Sequence, residues 1–148
     1  MSTANNAPIM VQALTENEIQ AIHKFYGAWK AKKPEWLDEV CTPDWQDIPL
    51  APKQAKGPQG LKDLIIDFIK RFPDAEIVVE EIFGTHERAG ARTTLKFTHD
   101  KEFMGIAPTN KKVAIAVNEF HYLKDGKLTH TWHLEDWFSL VSEKTYGK

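Results

Sequence analysis

The sequence predicts an α+β domain in which a curved antiparallel sheet closes over helices that come first in the chain. In the first half, apolar residues recur every three or four positions, and from Ala75 onward they alternate with polar residues. The pair Asp125-Gly126, at the centre of a tight hairpin turn, joins the last two strand candidates. The length of 148 residues suits one domain with one core.

Three helices are predicted before the sheet. Thr15-Glu16-Asn17-Glu18 forms a capping box, so the first helix begins at Thr15, and the lysine-rich residues 30–33 suit its C-terminus. Pro34 begins a short second helix over residues 34–40, and Pro58 begins a third, which ends at Pro73. The proline-containing segment 44–60 is predicted to be an ordered but irregular loop.

Four strands are predicted after the helices, each with one buried face. They cover residues 76–83, 91–99, 113–123 and 128–138. The resulting organisation is a flexible N-terminal segment over residues 1–13, a single domain over residues 14–143, and a C-terminal tail over residues 144–148.

Charge and cysteine content exclude several classes of function. The chain has 19 Lys and Arg against 21 Asp and Glu, for a formal net charge of -2, so neither nucleic acid nor an anionic membrane is expected as a partner. Its single cysteine, Cys41, rules out an intramolecular disulfide and fits a cytoplasmic location. No export leader and no apolar run long enough to span a membrane are seen.

Aromatic residues are more numerous than packing alone requires in so small a domain. Five Trp, eight Phe and three Tyr suggest a cavity with aromatic walls, and an aromatic-rich core explains the count equally well. The residues assigned to the wall of that cavity are Tyr26, Trp45, Phe103, Met104 and Trp132.

The first candidate for chemistry is Asp136. Strict alternation along residues 128–138 places Asp136 on the same face as Trp132 and Leu134. Burial on an apolar face would disfavour its charge and make it a proton donor or acceptor. The alternative is a carboxylate at the sheet margin that is hydrogen-bonded to the backbone or paired with a basic side chain. Because alternation is the only evidence from the residues for a buried Asp136, this alternative is favoured at this point.

Four further residues could serve a ligand. His99 and His121 lie on predicted strands and could reach a cavity, Asn118 could donate a hydrogen bond to a carbonyl, and Asp47 could bring a second carboxylate to the cavity mouth. Each also has an ordinary structural interpretation, as a core or edge histidine, a strand asparagine or a turn-forming aspartate. No two histidines have metal-ligand spacing, so no metal site is predicted.

Five motifs occur in a fixed order between about residues 19 and 140. They are Gly57-Pro58-Gln59-Gly60-Leu61, Phe72-Pro73-Asp74, the segment 98–109, Lys124-Asp125-Gly126-Lys127-Leu128 and Trp132-His133-Leu134-Glu135-Asp136-Trp137. In content and spacing they resemble the SnoaL-like polyketide (ester) cyclases of the NTF2-like superfamily.

The resemblance implies a cone: a strongly curved, mostly antiparallel sheet wrapped around three N-terminal helices, with a deep pocket between them. It also implies a homodimer or higher homo-oligomer built through the sheet, with a homodimer expected. It further implies catalysis without metal or organic cofactor, and an acid/base aspartate near the end of the last strand, which is Asp136 here. Two departures are His121, where many relatives carry Arg, and Asn110, which replaces Gly.

The leading hypothesis is a cofactor-independent cyclase-type reaction on a small apolar carbonyl compound. Asp136 would remove a proton next to one carbonyl, the enolate would attack a second carbonyl of the same molecule, and His99, His121 or Asn118 would stabilise the oxyanion. The alternatives are a dehydratase, isomerase or epoxide hydrolase in the same pocket, a non-catalytic binding or assembly module, and a protein-interaction domain. An open pocket lined by Asp136 favours catalysis, whereas a cone filled by side chains favours the binding module.

Overall fold

Helices precede most of the sheet, as predicted, but one strand lies between the second and third helices and a fourth helix follows the last strand. The computed structural model describes residues 11–146, with side chains through residue 142. The elements are α1 Glu16–Ala31, α2 Trp36–Val40, β1 Cys41–Ile48, α3 Gly57–Arg71, β2 Glu76–Thr85, β3 Arg88–Thr98, β4 Lys112–Lys124, β5 Lys127–Glu135 and α4 Trp137–Tyr146.

The five strands form one curved sheet in the order β1-β5-β4-β3-β2. The pairs β2–β3, β3–β4 and β4–β5 are antiparallel, and only β1 runs parallel to its neighbour, β5. One face of this sheet, called the inner face below, turns toward α1 and α3, and the opposite one is the outer face. The predicted fold class, a mostly antiparallel curved sheet around N-terminal helices, is confirmed.

The capping box predicted at Thr15 is present and does more than start α1. The Glu18 carboxylate accepts from the Thr15 backbone N–H at 2.8 Å, and the Thr15 hydroxyl accepts from the Glu18 N–H at 3.2 Å. The second Glu18 oxygen accepts from the Glu87 N–H at 3.0 Å and lies 2.8 Å from His86 Nδ1. Glu18 therefore ties the first turn of α1 to the turn between β2 and β3.

Part of the predicted irregular loop is a strand. β1 covers Cys41–Ile48, and residues 46–48 pair in parallel with residues 130–132 of β5. Trp45 is buried on the inner side, and Pro43 is tolerated because β1 is an edge strand of the sheet. Residues 49–56 remain outside regular structure between β1 and α3.

The last predicted strand is too long, and a fourth helix follows it. β5 ends at Glu135, and α4 begins at Trp137 and continues to Tyr146, into the range 144–148 assigned to a C-terminal tail. The Asp136 carboxylate accepts hydrogen bonds from the backbone N–H of Ser139 at 3.3 Å and from the Ser139 hydroxyl at 2.5 Å. An aspartate that bonds the third residue of a helix in this way is an N-cap, so Asp136 ends the strand and starts the helix.

A one-residue irregularity in β5 decides which of its side chains face inward. Leu128 pairs with Leu123 of β4, whereas His130 pairs with the preceding β4 residue, Tyr122, so Thr129 is an extra residue. Strict alternation from Leu128 would turn Thr131 outward, but the bulge turns it inward, where it is buried. All later residues of β5 exchange faces as a consequence.

The N-terminal segment is only partly within the described chain. The Gln12 carbonyl accepts from the His86 N–H at 2.9 Å, and Ala13 forms a bridge with Thr85, so these two residues are held against the β2–β3 turn rather than free. Residues 1–10 of the segment predicted to be flexible lie outside the described residues. None of the helices in residues 11–146 combines the length and apolarity that a bilayer crossing requires.

Candidate functional site

A cavity of about 600 Å³ lies between the inner face of the sheet and helices α1 and α3. Aromatic and aliphatic side chains make up most of its wall, and the residues after β1 and after β3 form part of the rim. Its lining includes Phe25, Tyr26, Trp29, Pro49, Leu50, Leu61, Leu64, Phe68, Ile77, Leu95, Phe103, Met104, Val117 and Trp137. The cone is therefore open rather than filled by its own side chains.

Four ionisable side chains share the sheet wall of this cavity. Glu119 of β4 and His133 of β5 are directly opposite each other in the antiparallel ladder, and Glu135 lies two residues beyond His133. Asp47 reaches the same wall from β1. Three carboxyl groups and one imidazole are thus concentrated in an otherwise apolar cavity, the setting in which ionisable groups acquire altered proton affinities.

His133 is held as an imidazolium by partners that can only accept hydrogen bonds. Its Nε2 lies 2.7 Å from the carbonyl oxygen of Pro49 and 3.2 Å from Asp47 Oδ1, and its Nδ1 lies 2.5 Å from Glu135 Oε1. Because carbonyl and carboxylate oxygens accept, both ring nitrogens must carry hydrogen. Hydrogen bonds to Asp47 and then Glu135 raise the pKa of His133 to about 11.

Asp47 also organises the loop over the cavity mouth. Its second oxygen, Oδ2, accepts from the Gln54 amide at 2.7 Å, and the Gln54 side-chain oxygen accepts from the Ala51 backbone N–H at 2.9 Å. These bonds connect the end of β1 to the chain that follows it. Asp47 thus binds His133 with one oxygen and fixes residues 51–54 with the other.

Glu119 is the carboxyl group best suited to move a proton. Burial raises its pKa to about 7, and a hydrogen bond from the Tyr26 hydroxyl opposes part of that rise. A group with a pKa near 7 gives up and takes up a proton with similar ease at neutral pH, which is the requirement for a general acid or base. Among residues 11–142, its Oε1 makes no hydrogen bond.

Behind Glu119, polar contacts continue into the core. The Tyr26 oxygen lies 2.7 Å from His121 Nε2, and His121 Nδ1 lies 2.9 Å from the Thr131 hydroxyl, which also accepts from Trp45 Nε1–H at 3.0 Å. Burial lowers the pKa of His121 to about 3, so this imidazole is neutral. Burial, followed by the Glu119 charge, raises the pKa of Tyr26 well above its usual value.

The residues assigned to the cavity from sequence lie in three places: on the cavity wall, behind that wall and on the outer face of the sheet. Tyr26, Asp47, Phe103 and Met104 line the cavity. Trp45 is buried behind the wall, where its indole N–H bonds Thr131.

Asn118 and Trp132 lie on the outer face, which corrects their predicted placement. Asn118 is exposed between the inward-facing Val117 and Glu119, because successive residues of a regular strand point to opposite faces. Trp132 stacks on His130 with ring centroids 5.5 Å apart, and it faces outward because the bulge at Thr129 reverses the alternation.

Asp136 is exposed and does not line the cavity, so its predicted placement in an apolar hollow is wrong. Two physical causes act together. The bulge at Thr129 gives the inward positions to His133 and Glu135, and the Asp136 carboxylate is bound to Ser139 as the cap of α4. The aspartate that the resemblance designates is therefore placed to start a helix. Its backbone hydrogen bond at the end of the strand is closer to the sheet-margin alternative than to catalysis, although a helix cap was not predicted.

Neither predicted histidine lines the cavity. His121 is separated from it by Tyr26, as described above. His99 is fully buried beside Phe72 and Phe97, and its Nδ1 lies 3.0 Å from the Thr109 hydroxyl, so it anchors the segment between β3 and β4. Among residues 11–142, His99 Nε2 has no hydrogen-bond partner.

Three site residues were not identified from sequence. Glu119 alternates in phase with Val113, Ile115 and Val117, so the period of β4 alone was enough to place it inward. His133 and Glu135 gave no such signal, because their orientation depends on the bulge at Thr129. Within the described part of the chain, no three His, Cys, Asp or Glu side chains are arranged so that they could hold a metal ion.

Comparison with known proteins agrees with the fold. The sequence model of the SnoaL-like polyketide cyclases matches residues 19–143. The chain belongs to this family. The family resemblance noted in the sequence is thereby confirmed, and no curated protein matches the chain.

Solved structures share the NTF2-like fold at low sequence identity. IdmH from Streptomyces antibioticus is 20% identical with a TM-score of 0.76, over 86% of this chain and 98% of that one. TsrD from Streptomyces laurentii is 19% identical with a TM-score of 0.75, over 86% and 94%. A SnoaL-like polyketide cyclase from Agrobacterium tumefaciens is 14% identical with a TM-score of 0.73, over 88% and 99%.

Proposed function

We propose that this protein catalyses a cyclase-type acid/base reaction on a small apolar carbonyl compound, with Glu119 as the group that moves the proton. One observation carries the proposal: a buried carboxyl group with a pKa of about 7 lies on the wall of an open apolar cavity. Family membership supports cyclase-type chemistry, and the wall chemistry supports proton transfer rather than binding alone.

The proposed reaction begins with ionised Glu119. Its carboxylate takes a proton from a carbon next to a carbonyl, and the electron pair of the broken C–H bond forms an enolate. The enolate carbon attacks a second carbonyl of the same molecule, which makes the new ring bond and an alkoxide. Glu119 then returns its proton to the alkoxide, so the enzyme is regenerated and the substrate is isomerised.

His133 supports this chemistry through its charge. Both of its N–H groups are already bonded to protein acceptors, so it acts on the ligand as a fixed positive charge and not as a direct donor. A positive charge opposite Glu119 in the ladder favours the ionised carboxylate and stabilises negative charge that develops on the ligand.

The remaining wall favours an uncharged, largely apolar ligand. Trp29, Phe68, Phe103 and Trp137 supply aromatic surface that can hold a folded carbonyl chain close to its reactive conformation. Within the described residues, the lining contains no Lys or Arg. A ligand with a free carboxylate would meet Asp47, Glu119 and Glu135 without a free cation to bind it.

Proton exchange on a model ketone tests the proposal without knowledge of the natural substrate. A panel of two-ring aromatic ketones, such as 1-tetralone, is incubated with the protein in D2O, and deuterium uptake at the α-carbon is followed by NMR. We expect exchange with the wild-type protein, a loss of roughly 10²-fold to 10⁴-fold in Glu119→Gln, and the wild-type rate in Asp136→Asn. Exchange that survives Glu119→Gln, or no enzyme-dependent exchange on any ketone, contradicts the proposal.

We also propose that the outer face pairs with a second copy of the chain. Phe120 is 57% exposed and Leu134 is 74% exposed, and Phe83 and Tyr122 lie beside them on this side of the sheet. A contiguous exposed apolar patch of this kind is typical of an association surface. Light scattering of the wild-type protein and of Phe120→Glu tests this: a dimer that becomes a monomer is expected, and a wild-type monomer contradicts it.

A further inference from the structure

Four buried side chains form a continuous hydrogen-bonded series that ends on Glu119. In order they are Trp45, Thr131, His121 and Tyr26, which come from β1, β5, β4 and α1, and each is 1% exposed. The three separations along the series are 3.0, 2.9 and 2.7 Å, and the Tyr26 hydroxyl then contacts Glu119 Oε2. A series drawn from four separate elements is fixed by the tertiary fold.

The chemistry of the two ends gives this series a direction. An indole N–H only donates, so the Thr131 oxygen accepts from Trp45. An ionised carboxylate only accepts, so the single Tyr26 hydroxyl hydrogen goes to Glu119. The Tyr26 oxygen then accepts from His121 Nε2–H, and His121 Nδ1 accepts from the Thr131 hydroxyl. Within the series every donor is used once, and the Thr131 oxygen, His121 Nδ1, the Tyr26 oxygen and Glu119 Oε2 each accept one hydrogen bond.

The opposite direction leaves a buried hydrogen unpaired. If Glu119 donated from Oε2 to Tyr26, then Tyr26 would donate to His121 Nε2, and His121 Nδ1–H would donate to Thr131. The Thr131 oxygen would then accept two bonds, and its own hydroxyl hydrogen would find no acceptor among the described residues. Leaving a buried donor unsatisfied costs about 1–3 kcal/mol, so the first direction is favoured.

We propose that Tyr26, His121, Thr131 and Trp45 are positioning residues that keep Glu119 Oε2 an acceptor and reserve Glu119 Oε1 for proton exchange with the ligand. The proposal deepens, and rests on, the function proposed above for Glu119. It assigns the reacting atom and requires one tautomer of His121, with hydrogen on Nε2 and none on Nδ1. These residues act through Glu119 and do not touch the ligand's reacting atoms, except that Tyr26 also lines the cavity.

The tautomer is the property that separates this arrangement from ordinary packing. Since the proton that Glu119 gains is placed on Oε1, the series need not change when Glu119 titrates. The other ionisable groups around Glu119, which are His133, Asp47 and Glu135, lie on the cavity side of it and not within the series. His121 should therefore keep its hydrogen on Nε2 on both sides of pH 7.

Nitrogen NMR of the full chain labelled with ¹⁵N-histidine tests this directly between pH 5.5 and 8.5. We expect His121 Nδ1 to have the chemical shift of an unprotonated nitrogen, and Nε2 that of a protonated one, at every pH. The reverse tautomer, or an exchange of the two shifts as Glu119 titrates, would overturn the proposal. The measurement uses the wild-type protein, so it does not depend on how any variant folds.

Three variants, two at Thr131 and one at Tyr26, provide a second readout, the midpoint of the Glu119 carboxyl titration. In Thr131→Val the series loses the Thr131 hydroxyl, so His121 is no longer polarised by it and the Tyr26 hydroxyl becomes a weaker donor. We therefore expect the midpoint of the Glu119 carboxyl titration, followed by ¹³C NMR, to move upward. Thr131→Ser keeps a hydroxyl and should keep the wild-type midpoint. Tyr26→Phe removes the bond itself and should raise the midpoint by roughly one pH unit. Equal midpoints in the valine and serine variants would overturn the proposal.

These NMR readouts need no ligand, so they fail separately from the proposed function. If His121 has the predicted tautomer but no ketone exchange is found, the proposed reaction is wrong and the arrangement of the series is still supported. If ketone exchange depends on Glu119 but His121 has the reverse tautomer, the proposed reaction is supported and the positioning proposal is wrong.

Discussion

The inner and outer faces of β4 and β5 carry different chemistry on neighbouring residues. Glu119 and His133 face the cavity and belong to hydrogen-bonded networks, whereas Asn118 and Trp132, each one position earlier, face outward. At the end of β5, Glu135 binds His133 and the next residue, Asp136, caps a helix. On this sheet the side of a residue, rather than its type, decides whether it can act on a ligand.

Burial alone does not fix the behaviour of a carboxyl group on the inner side. Glu18 and Glu119 are both buried, and burial tends to raise the pKa of each. For Glu18 the backbone N–H groups of Thr15 and Glu87 and the nearby His86 outweigh that effect, so its pKa is lowered. Glu119 accepts one hydrogen bond, from the Tyr26 hydroxyl, and its pKa stays above the usual value. The number of donors separates a structural carboxylate from one suited to proton transfer.

The largest expected difference between the faces is in stability. Thr131→Val removes the inner hydroxyl that satisfies both Trp45 Nε1–H and His121 Nδ1, and we expect a loss of about 2–4 kcal/mol in the free energy of unfolding. Thr129→Val changes the half-buried outer threonine at the bulge and should cost at most about 1 kcal/mol. Urea denaturation of both variants measures the two losses in the free energy of unfolding. Equal losses would show that the buried hydrogen bonds of Thr131 stabilise the fold no more than those of Thr129.

The next difference is in the pH dependence of stability. His133 has a pKa of about 11 in the folded chain against a usual value of 6.5, so the folded state keeps a proton that the unfolded state releases. Its stabilisation is complete below about pH 6.5 and decreases as the pH rises toward 11, by about 1.4 kcal/mol per pH unit between pH 7 and 9.

Unfolding midpoints in urea at pH 7, 8 and 9 measure this slope. His133→Gln should flatten it, because the variant has no proton to release in that range. The outer-face variant Asn118→Ala should keep the wild-type slope. A slope that His133→Gln leaves unchanged would show that His133 is not held as an imidazolium.

The smallest expected effect concerns Asp136 and sharpens the contrast with Glu119. Asp136→Ala removes the cap of α4 and should reduce the free energy of unfolding by about 1 kcal/mol. Asp136→Asn, which still caps a helix, should stay within a few tenths of 1 kcal/mol of the wild type. Urea denaturation tests the pair, and a large loss in Asp136→Asn would indicate a role for the ionised carboxylate beyond capping.

Local sequence signals predicted most of the fold. The capping box at Thr15, the proline at the start of α3 and the alternation in β2, β3 and β4 act over short distances along the chain, and the corresponding elements are present. β1 was missed because its pairing with β5 joins residues far apart in sequence. α4 was missed because the strand pattern was extended through Phe138, although the Asp136–Ser139 spacing of an N-cap was visible.

The site was less predictable than the fold, and Thr129 is the main reason. A residue added to one strand of a ladder reverses every later side chain, and nothing in the composition of residues 127–135 marks where it falls. Composition left an aromatic-walled cavity and an aromatic-rich core equally open, the family resemblance implied the pocket, and the acid was assigned to Asp136 on the wrong side. Glu119 lies before the bulge on a regular strand, so its position was within reach of alternation.

The pH dependence of α-proton exchange on the model ketone tests the central claim, that Glu119 is the base on the inner face. In the wild-type protein the exchange rate should rise as the pH passes about 7 and then level off, because the ionised carboxylate is the active form. Glu119→Gln should remove that rise. A midpoint below about pH 5, typical of solvent-exposed carboxylates, or a profile that Glu119→Gln leaves unchanged, would contradict the claim.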